Sequence, residues 1–548
     1  MVDIITREII NNALEYIAEE MGIVLRNSAY SPNIKERMDH SCAIFGAEGE
    51  LLAHAEHIPV HLGAMPLAVK SAVRYIGDIN DGDMILLNDP YLGGTHLPDL
   101  TLIAPIYYGE KIVGFVANRA HHSDLGGKVP GSMPGDSVEI FEEGLIIPPI
   151  KIVKKGKVDK EILRIILSNV RTPQIRKADL YAQIAANRRG IGRVLSLIKK
   201  FGISTYKEAI QEILSYTEKL AKYEISKLPE GIYKAEDFLD DAGPKYNKPT
   251  RIALTLSIKK DTMTFNFTNS DDQVIGSINA PRTVTISAVY FAFKCIVDPS
   301  IPSNEGAYRP LTIITRRGSV VDAERPYAVA GGNVETSQRI VDVIFRALAQ
   351  IIPEKIPAAS QGTMNNISFG SMDPKTKKPF AFYETIGGGF GARPNKDGVD
   401  GVHSHMTNTM NTPVEEIERK YPIRIIEYSL REDSCGAGKW RGGLGIRRKY
   451  LALAPMRVAL LGERHRFAPW GLNGGKSGAR GRYYLIRKDK IIVLHSKTTI
   501  DLTPGDILVI ETPGGGGYGD PEQRNKEDII RDLKEEKITM RFIEKNFK

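Results

Sequence analysis

Residues 95–124 read THLPDLTLIAPIYYGEKIVGFVANRAHHSD, and no other stretch limits the fold so tightly. Two apolar, strand-like runs, LTLIAPIYY and KIVGFVAN, flank the break at Gly109 and Glu110, where a glycine tolerates the backbone angles of a tight turn. Folded as a hairpin, they carry Arg119, His121, His122 and Asp124 back beside His96 and Asp99. Pro98 stands between His96 and Asp99 and excludes a helix interior, so this pair is expected on a turn that enters a strand. The loop length leaves two registers open. A two-residue loop sets Pro98 opposite His121, with His96 on the face of His121; a three-residue loop ending at Lys111 sets Asp99 directly opposite His121. A slip of one residue exchanges the faces. In either register His96, Asp99 and one of His121 or His122 come together.

Two imidazoles with one or two carboxylates make a donor set for Zn, Mn or Fe that leaves a coordination position open, as hydrolytic or Lewis-acid chemistry requires. The plainer alternative is a set of polar residues hydrogen-bonded within a glycine-rich turn. The distribution of histidines favours a site: seven of the eleven precede residue 123. Among these, His54, His57 and His61 would share a helix face, but Pro59 interrupts any such helix. They are expected in structural roles or as partners that orient a ligand. Asp39, in KERMDHSCAIF, is left undecided by the residues alone. Asp89 precedes Pro90, and is expected to cap that turn just behind the site.

At 548 residues the chain is too long for one core, and 42% hydrophobic with 26% charged residues is ordinary for a globular protein. The periodicity gives an opening helix near 4–25, short strands to about 158, a helical segment at 158–228, strand alternation after that, a glycine-rich middle and a last 120 residues of short strands and turns. The expected class is therefore α+β: a multi-domain chain of mixed sheets with a central helical segment and a β-rich C-terminal part. Domain cuts are drawn near 232 and 425, giving 1–232, 233–425 and 426–548. Three widely spaced cysteines fit a reducing compartment, and the chain has no apolar run near twenty residues and no signal-peptide pattern. A cytoplasmic protein without membrane association is expected. The net charge of +8 is spread along the chain without a recognition module, so nucleic acid is not the expected partner.

Several motifs carry weaker expectations. WGLNGGKS places Lys476 and Ser477 like a phosphate-binding loop, but Trp470 occupies the position of the first glycine, and GGGFGARPNK also fails the pattern, so both are expected as tight turns. His403 and His405 form an HxH pair that is expected on a satisfied polar face rather than on an ion. Asn333, Glu335, Thr336 and Arg339 in GGNVETSQR, with the GTMNN run, either line a pocket or cap a helix. Cys435 is expected as a small residue in a glycine turn.

Six blocks in order, ERMDHSCAIFGAEGELLAHAEHIPVHLGAMP, LNDPYLGGTHLPDLTLIAPI, ANRAHHSDLGG, GGNVETSQRIVDVI, NTMNTPVEEIERKYPIRI and GKWRGGLGIRR, resemble the hydantoinase B / 5-oxoprolinase family from about residue 3 to the GGGGYGDP motif near 520. The resemblance implies a divalent ion (Zn, Mn or Fe) held by His96, Asp99 and His121, with Asp39 as a further ligand or close neighbour. His122 and Asp124 then become candidates for moving protons, and backbone amides of GGGFG for holding developing negative charge. It also implies a partner: an A-type subunit that uses ATP to activate a small cyclic amide (a hydantoin, 5-oxoproline or a lactam), with this chain completing hydrolysis in a hetero-oligomer. The alternatives are a subunit of an ATP-dependent ketone carboxylase and a non-catalytic scaffold.

Overall fold

The computed structural model describes residues 2–55 and 57–547. Helix α1 (Ile4–Ser28) opens the chain, capped by Asp3, whose carboxylate accepts from the Thr6 amide. Its Ile10, Leu14, Ile17, Met21 and Leu25 recur at helical spacing and are buried. The seven strands that follow are β1 (His40–Phe45), β2 (Leu51–Ala55), β3 (Met84–Leu87), β4 (Asp99–Tyr108), β5 (Lys111–His121), β6 (Ile150–Lys154) and β7 (Lys157–Val158). They form one antiparallel sheet in the order β2-β1-β5-β4-β3-β6-β7.

Both faces of this sheet are covered. Cys42, Ile44, Leu102, Val116 and Ala120 pack against α1 and the two long helices Pro173–Phe201 and Ile203–Ser226. Ala43, Phe45, Ile103, Phe115 and Ala117, on alternate positions, face the central part of the chain. Burial on both sides is why these strands read as nearly continuous apolar runs. His121 and Asp99 take the same alternation as Ala117 and Ile103, so they point into the central part.

The hairpin combines features of the two registers open in the sequence. Tyr108 pairs with Lys111, so the loop is the two-residue one at Gly109 and Glu110; yet at the far end Asp99 pairs with His121. A bulge reconciles them: Tyr107 faces Ile112 but Ile106 faces Gly114, which leaves Val113 as the extra residue. Gly114 lies where a Cβ would meet the Phe45 carbonyl oxygen on β1.

The central part adds β8 (Gly231–Leu239), β9 (Thr250–Lys259), β10 (Thr262–Asn266) and β11 (Leu311–Ile314), in the order β11-β10-β9-β8. The amphipathic helix Ser337–Leu348 lies on this sheet. Further on come β12 (Asn366–Met372), β13 (Pro379–Glu384), β14 (Ile423–Arg431), β15 (Gly445–Ala452), β16 (Met456–Leu461), β17 (Arg482–Arg487), β18 (Lys490–Leu494), β19 (Lys497–Leu502) and β20 (Ile507–Glu511). They make two sheets, β13-β12-β16-β19 and β14-β15-β20-β17-β18. The expected α+β class, with helices, several sheets and a β-rich end, is the one observed; of the four sheets, the one holding β10 and β11 mixes parallel and antiparallel pairing. A cut at 425 divides the sheet that pairs β12 with β16, and one hydrophobic cluster runs from Ala43 through Leu256 and Ile344 to Leu461, across both drawn boundaries. Among the described residues no helix is long and apolar enough to cross a membrane.

The glycine-rich motifs have a shared explanation. Gly514–Gly517 thread between the segments around Gly389, Gly443 and Gly475, bonded by Gly515 to Gly443 (2.9 Å), Gly516 to Ala359 (2.8 Å) and Gly517 to Lys476 (2.9 Å), amide to carbonyl. A Cβ at Gly389, Gly443 or Gly515 would collide with neighbouring backbone. The Lys476 loop is thus tied into a layer of packed backbones and, as expected, is a turn.

Candidate metal centre

His96 occupies the turn before β4, Asp99 is the first residue of β4, and His121 is the last of β5. The Asp99 amide bonds the His96 carbonyl (3.2 Å) and the His121 amide bonds the Asp39 carbonyl (3.1 Å), so backbone fixes all three entries. Their ligand atoms converge within 4.8 Å of one another. His96 Nε2 is 3.1 Å and His121 Nδ1 is 3.4 Å from Asp99 Oδ1. Each of the three residues is at most 2% exposed.

The two oxygens of Asp99 differ. Oδ2 accepts from Thr95 Oγ1 (2.6 Å) and lies 3.3 Å from His61 Nε2, whose Nδ1 is 2.9 Å from Ser41 Oγ. Oδ1 is buried without a hydrogen-bond partner, and so are His96 Nδ1 and His121 Nε2. Buried polar atoms without partners are costly unless something takes them up. Burial works to raise the Asp99 pKa, but the imidazoles of His96 and His61, with His121 beside them, outweigh it and hold the carboxyl well below its usual range. Burial pushes the His121 pKa down. A charged carboxylate and a neutral imidazole are the states a divalent ion needs in its ligands, so these residues fit one.

Asp39 borders the cluster. Its Oδ2 lies 3.9 Å from His121 Nδ1, 3.9 Å from Arg37 Nη1 and 3.4 Å from Asn33 Nδ2. It follows Met38, whose φ of 57° turns the chain into β1. Arg37 is fully buried and bonds Thr385 Oγ1 (2.5 Å) and Thr409 Oγ1 (3.2 Å).

The central part supplies groups that the sequence does not connect to the site. The Tyr383 ring stacks on His121, centroids 4.4 Å apart and planes 11° from parallel. Its hydroxyl donates to Asn366 Oδ1 (2.8 Å), and Asn366 Nδ2 donates to Glu335 Oε1 (2.8 Å). Burial raises the Glu335 pKa well above the ordinary carboxylate value. Asn333 Nδ2 stands 3.2 Å from His96 Nε2. Of these segments, GGNVETSQR and GTMNN stand out in the sequence as pocket or cap residues; FAFYET carries no motif or periodicity that marks Tyr383.

His122 and Asp124, expected to move protons, are held elsewhere. His122 bonds Gln183 Oε1 on the long helix (3.0 Å), and burial brings its pKa down to about 4. Asp124 accepts from the Gly126, Gly131 and Arg171 amides and pairs with Arg171 Nη1 (2.9 Å), so both oxygens are engaged. The amides of Gly388, Gly389, Phe390 and Gly391 also already donate, to Val402, Pro513, Val399 and Ser360, which takes these four out of the expected anion-holding role of GGGFG. His405 is 3.2 Å from Asp342 and His403 3.4 Å from Thr409, two separate surroundings rather than one ion site. Cys435 is buried, and burial pushes its thiol up to about 12, away from the thiolate that a nucleophile needs. Asp89 caps the Pro90–Leu92 turn, accepting from the Tyr91 amide, and pairs with Arg325.

Named relatives agree with this architecture. The chain is 40% identical over 547 residues to 5-oxoprolinase 1 of Arabidopsis thaliana, covering 95% of this chain and 42% of that protein. It therefore spans about two-fifths of the length of that relative. It is 32% identical to a protein of a Pseudomonas species named as the putative B-type component of a D-/L-hydantoinase, covering 98% of this chain and 93% of the other. The structure of the ATP-dependent caprolactamase from Pseudomonas jessenii superposes with a TM-score of 0.92 at 28% identity, over 99% of this chain and 96% of that one. The family model described as Hydantoinase B/oxoprolinase matches residues 3–521, and the chain belongs to that family.

Proposed function

We propose that this chain is the metal-binding, B-type component of an ATP-dependent cyclic amide hydrolase, completing the ring opening of a hydantoin, 5-oxoproline or lactam activated by an A-type ATP-using partner. The observation that carries this reading is the enclosed His96–Asp99–His121 cluster with Asp99 Oδ1 unspent at its centre. Support for the partner comes from the relative named as one component of a hydantoinase, which the chain covers almost completely, and for ATP from the caprolactamase.

His96, Asp99 and His121 would hold the ion, with Asp39 at its border; Zn, Mn and Fe suit the donor set. When bound, a divalent ion supplies Lewis acidity there and lowers the pKa of a water toward neutrality. Thr95 and His61 pin Asp99 Oδ2 and so present Oδ1 toward the imidazoles. The enclosure keeps bulk water from competing. His122 and Asp124 are read as holding the segment after His121, through Gln183 and Arg171.

The test is co-expression with an A-type partner and measurement of ATP consumption on a panel of cyclic amides and ketones, with His96→Ala as control. Turnover of a cyclic amide that disappears in the variant is expected. Unchanged turnover in His96→Ala overturns the metal reading. Bicarbonate-dependent turnover of a ketone, with none on cyclic amides, replaces the hydrolase with a carboxylase.

A further inference from the structure

The geometry points to Asn333 as a further catalytic residue, one that donates a hydrogen bond from its side-chain amide to the oxygen of the substrate's reacting carboxamide or of the group derived from it. This assignment rests on the metal reading of His96, Asp99 and His121.

Asn333 belongs to the π-turn Gly332–Thr336 that leads into the helix Ser337–Leu348. Such turns are rare and concentrate at functional sites, because the extra residue redirects a side chain at a cost to the helix. Its backbone is firmly placed. The Gly332 amide bonds the Ser277 and Val329 carbonyls (3.0 Å each), and Ser337 Oγ donates to the Asn333 carbonyl (2.6 Å). Gly332 is packed so that a Cβ would strike the Asn279 backbone, which fixes the approach of this turn. Upstream, Glu143 accepts from the Val329 and Ala330 amides.

The side-chain amide, in contrast, is spent only on the site. Asn333 is 3% exposed, its Oδ1 has no partner, and its Nδ2 is satisfied by His96 Nε2 at 3.2 Å. That same Nε2 is the His96 atom facing Asp99 Oδ1 at 3.1 Å, hence the atom that would ligate. Its lone pair cannot serve both an ion and Asn333. Ligation by His96 therefore releases a buried, preorganised N–H donor within hydrogen-bonding reach of the ligand atom, at the edge of the centre. A donor so placed meets an oxygen bound in the open position, and hydrogen bonds of this type strengthen as that oxygen gains charge. With four of the five GGGFG amides already committed, Asn333 fills the role expected of them.

Cobalt(II) binding to the purified protein, followed by its visible spectrum, and acetohydroxamate binding to the cobalt-loaded protein test this assignment. Asn333→Ala is expected to keep cobalt affinity within about twofold while weakening acetohydroxamate about tenfold or more, the loss of one hydrogen bond to a charged ligand. Asn333→Asp is expected to bind cobalt more tightly and acetohydroxamate more weakly. In the coupled assay, Asn333→Ala is expected to lower kcat about a hundredfold with a smaller change in KM, as for removal of one donor to a developing oxyanion. Acetohydroxamate affinity unchanged in Asn333→Ala, with cobalt still bound, overturns the assignment alone. Loss of cobalt in Asn333→Ala also overturns it, by making the side chain a ligand. Failure of the wild-type protein to bind cobalt overturns both this and the metal reading.

Discussion

Of the charged centres buried among the described residues, two are built on opposite principles. Around Asp342, carboxylates meet cations: Asp342 pairs with Arg464 and with His405 (3.2 Å), Asp237 with Arg464 (3.3 Å), and Glu463 with Lys497 (2.6 Å). Asp240 beside them accepts from the His465, Arg466 and Phe467 amides. This centre ties β8, the helix Ser337–Leu348 and the ends of β16 and β19 together. Around Asp99 the partners are imidazoles, and one carboxylate oxygen is left without a donor. Both centres are almost fully enclosed, so burial of charge does not tell a site from a joint. The unspent lone pair does, because a joint gains nothing by leaving one.

Breaking the joint should have the largest effect. Asp342→Ala leaves the Arg464 guanidinium buried beside one fewer carboxylate, and removal of one partner from a buried pair costs about 3–5 kcal/mol. A large fall in the urea midpoint, or insoluble expression, is expected. Asp99→Asn should do the reverse, folding at nearly wild-type stability while losing metal affinity by more than about a hundredfold, since removing even a residue that only orients a ligand costs about 10–100-fold. If Asp99→Asn unfolds the protein and Asp342→Ala does not, the two centres have been assigned the wrong way round.

Next in size come the residues that orient ligands. His61→Ala frees Asp99 Oδ2 from one of its two holders, and metal affinity should fall about tenfold or more. Tyr383→Leu removes the plate against which His121 lies, with a similar loss, whereas Tyr383→Phe keeps the stack and should fall only a few-fold. Isothermal titration with cobalt or manganese separates these; equal losses for the Phe and Leu variants would shift the weight from the ring to the hydroxyl and its Asn366 bond.

The legibility of the site in the sequence follows the range of its contacts. His96, Asp99 and His121 are joined by a local hairpin, so the turn at Gly109 and the alternation of two strands suffice to bring them together. The register stays open because the bulge at Val113 depends on β1, where the Phe45 carbonyl crowds Gly114. His61 can be placed among supporting residues from Pro59 and the histidine cluster, but its partner Asp99 cannot be named. Tyr383 and Asn333 reach the site from more than two hundred residues away, through pairings that no local period records. The glycine motifs mislead in the same way: GGGFG looks like a set of spare amides until Val402, Pro513, Val399 and Ser360 arrive to take four of them. The α+β class is legible because helix and strand periods are local, whereas the drawn cuts ignore strands that pair across them.

The smallest expected effect concerns pH, and it too separates the centres. Burial raises the Asp342 pKa, but Arg464 and His405 overcome that and hold it down to about 2. A depressed folded-state value means that the stability it contributes is present above the unfolded value near 4 and is lost as pH falls toward 2. Glu143, which holds the segment leading to Asn333, moves the other way: burial raises it to about 7, against the pull of the Ala330 and Val329 amides and Ser137. With a raised value, the contribution is full below the unfolded pKa near 4.5 and disappears as pH rises through 7. Between pH 6 and pH 8 this amounts to about 1 kcal/mol. Glu143→Gln can keep the bonds made to Oε1 and cannot titrate, so the difference in urea midpoint between wild type and variant should shift in favour of the wild type as pH falls from 8 to 6. A difference that stays flat over that range would mean that the three donors on Glu143 keep it charged in the folded protein, and that the approach to Asn333 is as fully paired as the joint around Asp342.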